Sequence, residues 1–198
     1  MTFSFQNWLQ AVWFSITEPA QAAQNVLRLN LPVQVLWTAL ALAAVLNVIL
    51  LAVLQLFSPA PEALEAGAFV LTPFSYAGVV GAFLVLFVFG TQSMGRFLGG
   101  IGSQPATLAI IVWFQAVSLT LEVGQLVLLL VSPVIGSLYG LVSLGLLAWV
   151  FVNFVNVLHG FDNLAKSMLT VVLSLIVTAL GAGLVLAMFG IGRAGGMP

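Results

Sequence analysis

The amino-acid sequence predicts an all-α membrane protein, a bundle of five transmembrane helices preceded by a short N-terminal amphipathic helix. Three observations lead to this fold class. The 198-residue chain is 62% hydrophobic and only 5% charged, whereas roughly a quarter of the residues in soluble domains are charged. Its apolar runs are each about 23 to 27 residues long, enough to cross a hydrocarbon layer about 30 Å thick. Almost all of the charged residues fall in or beside the turns between these runs.

The first predicted element is the amphipathic helix, within residues 1–30. Large apolar side chains, Trp8 and Trp13 among them, recur there at helical spacing, and amide side chains take the other positions. This pattern suits a helix that lies in the membrane interface with its indole rings at headgroup depth. Packing of the helix against the bundle explains the pattern equally well. A second short helix is expected between Pro19 and Arg28.

Proline-containing starts define four of the five spans. Pro32, Pro73, Pro105 and Pro133 each lie close behind a Ser, Thr or Asn, and proline costs least in the first turn of a helix. The fifth span should begin near Asp162-Asn163, where a carboxylate suits the positive end of the helix dipole. The predicted spans cover residues 32–57, 73–95, 105–131, 133–158 and 164–189.

The chain is predicted to form one domain, because the loop from Ser58 to Thr72 is too small to fold alone and no linker divides the sequence. Five spans place the two termini on opposite sides of the membrane. The positive-inside rule then predicts a cytoplasmic N-terminus. The charges on which this depends are Arg28, Arg96 and Lys166 on one side, and Glu62, Glu65 and Arg193 on the other.

Composition argues against several functional classes. Only four Lys or Arg and a net charge of -1 do not supply the basic surface that nucleic-acid binding needs. The sequence has no Cys, which excludes disulfides and thiolate sites, and its single histidine, His159, argues against an imidazole metal site. We therefore expect no catalytic residue, no metal, no cofactor and no enzymatic activity.

The third span carries a polar stripe. Its members are spaced by three, four and three residues, which places them on one helical face; they are Gln115, Ser118, Glu122 and Gln125. Such a stripe is costly in lipid, so it should face other helices. Glu122 could serve a proton or ion carrier, but a hydrogen-bonded strut that fixes helix register is the favoured interpretation, since one acid without partner groups makes a poor relay.

Small residues predict two helix-packing seams. Gly136 and Gly140 form a G-x-x-x-G pattern in the fourth span, and Ser174 and Thr178 belong to a row of small residues in the fifth. Such seams let helix backbones approach closely. Either seam could join this chain to a second copy or to a partner, but packing within the bundle is favoured.

The connection between spans four and five combines polar and turn residues. Asn153, Asn156 and His159 form a polar line that leads to Gly160, which is expected to end the helix in the left-handed conformation. Asp162 is expected to cap the next helix. His159 and Lys166 are expected at the membrane interface, where a headgroup or partner contact is the alternative to a purely structural helix end.

The span layout and two short stretches, Thr17-Glu18-Pro19-Ala20-Gln21 and His159-Gly160-Phe161-Asp162-Asn163-Leu164-Ala165-Lys166, resemble bacterial members of the Yip family, the Ypt-interacting-protein-like membrane proteins. The resemblance implies a multi-pass protein of the bacterial inner membrane with five spans and a cytoplasmic N-terminus, and it implies no catalytic residue. Eukaryotic relatives are associated with small GTPases. The chain lacks their Asp-Leu-Tyr-Gly-Pro stretch, so GTPase binding is not carried over.

Three functional hypotheses follow. The leading one is a non-enzymatic Yip-type protein that organises membrane or binds partners, which are expected to be membrane lipids, with other membrane proteins or a second copy of the chain as alternatives. The second is an accessory subunit of a larger respiratory or photosynthetic complex. The third is a small proton or ion carrier that uses Glu122.

Overall fold

The computed structural model describes residues 4–57 and 73–188. Within these two stretches the chain forms seven α-helices and no strand. They are α1 (Phe5–Thr17), α2 (Pro19–Arg28), α3 (Val33–Phe57), α4 (Pro73–Phe97), α5 (Gln104–Val131), α6 (Pro133–His159) and α7 (Leu164–Met188). The predicted loop with Glu62 and Glu65, and the segment that contains Arg193, lie outside the described residues.

Helices α3 to α7 confirm the predicted fold class. In the described part of the chain, these five helices are long and apolar enough to cross a membrane. Their ends agree with the predicted spans to within two residues. The largest difference is in α4, which continues to Phe97 and includes Arg96.

The helix ends show which capping predictions hold. Ser103 caps α5, since its side chain accepts a hydrogen bond from the Ala106 N–H at 3.4 Å. Gly160 ends α6 with φ 62° and ψ 38°, the left-handed conformation predicted for it. The predicted cap of α7 was wrong by one residue. Because α7 begins at Leu164, the residue in capping position is Asn163, whose Oδ1 accepts from the Ala165 N–H at 3.0 Å and the Lys166 N–H at 3.2 Å.

The bundle has two ends, which we call near and far. The near end holds the short connections α2–α3, α4–α5 and α6–α7, and the far end holds the α5–α6 turn at Ser132. Neighbouring helices pack in the pairs α5 with α6, α4 with α7, α3 with α5, α3 with α4 and α6 with α7. Many of the most buried side chains lie toward the near end, among them Leu108, Ile110, Ile111, Val150, Phe154, Val155 and His159. Val88 and Val117, which are equally buried, lie near the middle of α4 and α5.

The two N-terminal helices pack against the bundle. Ala22 and Ala23 of α2 are buried in one cluster with Ile110 of α5 and Phe154 of α6. In α1, Val12 and Ser15 are buried. Of the two interpretations that the sequence left open for this region, contact with the bundle is therefore the one that the structure shows.

Candidate functional site: the N-terminal helix and its two grooves

Helix α1 is fixed to α5 by two indole hydrogen bonds. Trp8 Nε1 donates to Thr120 Oγ1 at 3.1 Å, and Trp113 Nε1 donates to Ser15 Oγ at 2.9 Å. The two indole rings meet edge to face, with centroids 5.6 Å apart. Each helix thus supplies one indole donor and one hydroxyl acceptor, and the two tryptophans lie between them. Both donors are satisfied, which a buried indole N–H requires.

These contacts show how α1 runs. Ser15, near its C-terminal end, meets Trp113, and Trp8, seven residues earlier, meets Thr120, seven residues later. Helix α1 therefore runs in the opposite sense to α5, beside the middle and far parts of that helix. Trp8, predicted at headgroup depth, is half-buried between the helices, whereas Trp13 is 67% exposed.

The first groove, which we call the α3 groove, lies between α1, α3 and α5. Its volume is about 660 Å³. Its walls include Leu9 of α1, Ala39 and Leu46 of α3, and Ala116 and Val123 of α5. The wall side chains are nearly all aliphatic or aromatic, so the groove suits a flexible hydrocarbon.

The second groove, which we call the α6 groove, lies on the other side of α1, between α1, α5 and α6. Its volume is about 800 Å³. Aliphatic side chains dominate its walls, but Gln6, Gln10, Tyr139 and Ser143 also line it. Phe5, Leu9, Thr120 and Gly124 line both grooves, so α1 divides one larger cleft into two.

The structure brings together part of the polar stripe of the third span. The Ser118 hydroxyl donates to Glu122 Oε1 at 2.7 Å, and Ser118 is buried while Glu122 is half-buried. Gln125 lies against Gly140 of α6, and Gln115 is half-buried. Gln125 therefore faces α6, whereas the hydrogen bond of Glu122 lies within α5. The contact with Gly140 supports a packing role for Gln125.

Both predicted seams are used inside the molecule. A Cβ added at Gly136 would meet the backbone nitrogen of Leu129 at 2.7 Å, and one at Gly140 would overlap the Gln125 amide. In α7, Ser174 and Thr178 are buried, and a Cβ at Gly90 of α4 would meet Thr178 Oγ1 at 2.9 Å. These seams join α5 to α6 and α4 to α7.

His159 does not lie at an exposed interface. Its exposed fraction is 1%, and the imidazole is enclosed by glycines at the end of α4 and in the α4–α5 connection. A Cβ at Gly95, Gly100 or Gly102 would overlap the ring. The Gly102 N–H donates to Nδ1 at 3.3 Å, and the Ile101 N–H donates to the His159 carbonyl at 3.2 Å.

Phe161 covers one face of this histidine, and Lys166 lies over Phe161. The Phe161 ring stacks on the imidazole with centroids 5.3 Å apart, and Lys166 Nζ lies 4.8 Å from the Phe161 ring centroid. Such a cation–π contact adds a modest stabilisation. The polar line continues inward, since Ser167 Oγ donates to Asn156 Oδ1 at 2.9 Å. This arrangement closes the near end of the bundle.

Sequence reasoning missed two features of the site. The indole pair could not be inferred, because Trp8 and Trp113 are 105 positions apart and their pairing depends on how α1 docks. The enclosure of His159 did leave a signal in the sequence. The stretch Gly99-Gly100-Ile101-Gly102 beside Gly95 is typical of a backbone that must approach a side chain closely.

Comparison with known sequences decides the family. The Yip1 domain matches residues 13–186 of this chain, which include all of helices α2 to α6, most of α7 and the last five residues of α1. The chain belongs to the Yip1 domain family. The match confirms the resemblance noted in the sequence, and the five spans of the fold agree with a multi-pass membrane protein of the Yip type. No curated protein and no solved structure matched this Yip1 domain chain.

Proposed function

We propose that this Yip-type protein is a non-enzymatic lipid-binding protein of the bacterial inner membrane, and that it holds an acyl chain of a membrane lipid in the α3 groove. The observation that carries the proposal is the groove itself, about 660 Å³ of space walled almost entirely by apolar side chains. Ligand pockets in proteins are commonly of about 300 to 1,000 Å³. The chemistry of these walls matches a hydrocarbon chain and offers little to a charged solute.

The position of the groove supports lipid as the occupant. It lies along α3 and α5, two of the candidate spans, and therefore at the depth of the hydrocarbon layer. At its rim, Leu42 and Val123 are 57% and 52% exposed, which is ordinary for side chains that contact lipid. Membrane lipid is the solvent at this depth, so an acyl chain can enter from the bilayer.

The packing seams support the same conclusion. Gly136, Gly140 and Thr178, the small residues that could have joined the chain to a partner, are used between its own helices. The outward surface of α6 and α7 instead presents large aliphatic side chains such as Leu141 and Leu180, which are 69% and 64% exposed. A surface of this kind is suited to lipid.

We propose that the near end faces the cytoplasm. Arg28, Arg96 and Lys166 all lie at this end in the structure, and cytoplasmic connections carry an excess of Lys and Arg. Lys166 and Arg96 are then placed where lipid phosphates of the cytoplasmic leaflet lie.

Retention of lipid by the purified protein tests the function. The full chain is purified in a mild detergent, and native mass spectrometry counts the phospholipids that stay bound. Ala116→Trp places an indole in the α3 groove and should remove most of the retained lipid. The matched control is Ala148→Trp, at an exposed position of α6, which should retain it. Ala39→Phe fills the same groove from α3 and serves if Ala116→Trp does not fold. Equal lipid retention by the groove-filling variants and the control would overturn the proposal.

A second candidate function is that of an accessory subunit. One observation favours it, namely that Gln6, Asn7 and Gln10 of α1 are exposed although α1 lies beside a membrane span. Amide side chains at bilayer depth are stabilised by hydrogen bonds to another helix. A fixed ratio of a larger membrane protein in the purified material would support this candidate. The carrier hypothesis has less support, since Glu122 accepts a hydrogen bond from Ser118 of its own helix.

A further inference from the structure

We infer that the α6 groove binds a membrane quinone, that is, a planar and uncharged ring that carries carbonyl oxygens on opposite edges and an apolar tail. This site goes beyond the proposed function, because it is a different groove and takes a different class of ligand. The acyl chain of a phospholipid is proposed for the α3 groove, whose walls are almost entirely apolar.

The α6 groove differs from the α3 groove in having hydrogen-bonding side chains on two of its walls. Tyr139 and Ser143 of α6 line it, and so do Gln6 and Gln10 of α1. In each pair the residues are four positions apart, so both side chains lie on one face of their helix. Among the described residues that line the groove, none is charged. Hydroxyl and amide groups can donate from both walls, which matches a ligand with acceptor oxygens on two edges.

The two hydroxyl groups of α6 are available to a ligand. A hydroxyl within a helix often donates to the carbonyl four residues earlier, as Thr120 does to Ala116 at 2.8 Å. Ser143 makes no such bond in the part of the chain that the structure describes, although it is only 6% exposed. The hydroxyl of half-buried Tyr139 likewise has no partner among the described residues. A buried polar group is costly without a hydrogen bond, and a ligand oxygen would supply one.

The shape of the groove near Tyr139 favours a ring. A Cβ added at Gly124 of α5 would meet Tyr139 Oη at 3.0 Å and Cζ at 3.5 Å, so the tyrosine lies against the backbone of α5. The aromatic side chains Phe5 and Trp13 line the same groove. Aromatic rings pack on one another in offset or edge-to-face arrangements, and a planar ligand can use both.

The depth of the polar groups argues against a charged head group. Helix α6 is a candidate span, and Ser143 lies about 15 Å along it from Pro133, given the rise per residue of an α-helix. Ser143 therefore lies well inside a hydrocarbon layer about 30 Å thick. A phosphate at this depth would need a cationic partner, and the described wall residues include none. A neutral quinone ring can reach the same depth from the bilayer.

Binding of decyl-benzoquinone to the purified full chain tests the inference. Quinones quench tryptophan fluorescence, and Trp13 is a wall residue, so a fluorescence titration in mild detergent measures the affinity. Tyr139→Phe combined with Ser143→Ala removes both hydroxyl groups and should weaken binding about tenfold. The matched control combines Tyr76→Phe with Ser137→Ala, which removes the same two groups outside the groove. It should bind as the natural protein does.

A second variant keeps the test decisive. Val142→Trp fills the groove from a position of α6 that is 62% exposed, and it should abolish binding without loss of thermal stability. Equal affinity of the hydroxyl-free variant and its control would overturn the inference. Displacement of the quinone by dioctanoyl phosphatidylglycerol or dioctanoylglycerol would also overturn it, because the groove would then select a lipid chain and not a ring.

Two further outcomes separate this site from the other proposals. Tyr139 and Ser143 do not line the α3 groove, so their double variant should retain phospholipid as the natural protein does. The quinone site and the acyl-chain site can therefore fail independently. Absence of quinone binding, together with a second protein retained in fixed ratio, would overturn the inference and assign Gln6 and Gln10 to a partner helix.

Discussion

The near and far halves of the bundle are built from the same helices but pack differently. In α5, the buried residues lie between Thr107 and Ser118, and none is buried from Leu119 to Val131. In α6, the stretch from Val150 to His159 is mostly buried, whereas only Gly136 and Ser143 are buried between Pro133 and Trp149. In α5 and α6 the bundle is thus closed at the near end and open toward the far end, where the α6 groove lies. The α3 groove extends from Leu31, at the near end, to Gly124.

Mean hydropathy does not explain this difference, because the apolar runs continue through both halves. The size of the side chains at the contacts explains the difference in packing better. At the near end, Gly95, Gly100 and Gly102 allow the connection to close around His159. At the far end, the side chains of α3, α5 and α6 do not fill the space between these helices. Helix α1 occupies only part of that space. A membrane protein can keep such space because lipid fills it, whereas an aqueous core of this kind would lose stability.

The largest expected effect comes from placing a larger side chain in the tightly packed near half, beside His159. Gly95→Val places a branched side chain where the imidazole of His159 lies, and the ring is enclosed on its other sides. Overpacking of a tight core typically costs about 1 to 3 kcal/mol and occasionally more, and we expect about 3 kcal/mol here. Thermal unfolding of the purified variant, compared with the natural protein in the same detergent, measures the loss.

Two variants make this first test specific. Gly145→Val adds the same side chain to α6 at a position where a new Cβ meets nothing within 4 Å, and it should leave the unfolding temperature nearly unchanged. His159→Ala should recover part of the stability when it is combined with Gly95→Val, since it frees the space that the valine needs. Equal destabilisation by the two valine variants would show that overlap with the His159 ring is not the cause of the loss.

The second effect concerns the α5–α6 seam, where the far half is closely packed. Gly140→Leu pushes into the Gln125 amide at the α5–α6 seam. The Gln125 side chain can move, unlike the enclosed imidazole, so we expect a cost of about 1 to 2 kcal/mol, in the lower part of the usual range for overpacking. Thermal unfolding and the oligomeric state in detergent are measured together. A change in oligomeric state without loss of stability would instead assign this seam to contact between copies.

The third effect tests the attachment of α1 within the open half. Ser15→Ala removes the acceptor of the Trp113 indole N–H, and the net loss of one such hydrogen bond is about 1 kcal/mol. Amide hydrogen exchange should rise about fivefold in α1, while the near half stays protected. The control is Thr17→Ala, whose hydroxyl is exposed and bonds only within α1, to the Trp13 carbonyl. Equal exchange in both variants would mean that the indole contacts do not hold α1 in place.

The sequence was sufficient to predict the five spans, and the predicted ends agree closely with those of helices α3 to α7. Each span depends on local signals, namely a long apolar run and a nearby proline or small polar residue. The left-handed Gly160 was found for the same reason. The path of α1 could not be found from the sequence, since it depends on contacts such as that of Trp8 with Thr120, 112 positions away. The cap of α7 was misassigned because Asp162 and Asn163 are both good capping residues, and only the position of the helix start separates them.

The candidate site was predicted less completely than the fold. Glu122 and Ser118 were placed correctly on one face, since helical periodicity alone fixes that. The grooves could not be predicted, because a groove is a space between helices and depends on how far apart they pack. Periodicity indicates which side chains face inward, but it does not give the distance between the helices that they face.

The smallest expected effect comes from the polar stripe. Glu122→Gln keeps an Oε1 that can accept the hydrogen bond that Ser118 donates at 2.7 Å, so a hydrogen-bonded strut should lose less than about 1 kcal/mol. Glu122→Ala leaves the Ser118 hydroxyl without that acceptor and should cost more. Thermal unfolding of the three proteins decides between a strut and a role that needs the acid itself. If the Gln variant folds as poorly as the Ala variant, the strut interpretation is wrong. If the Gln variant folds normally, the far half tolerates replacement of the acid by an amide. The reason is that Glu122 is half-buried and has space around it, whereas His159 is enclosed.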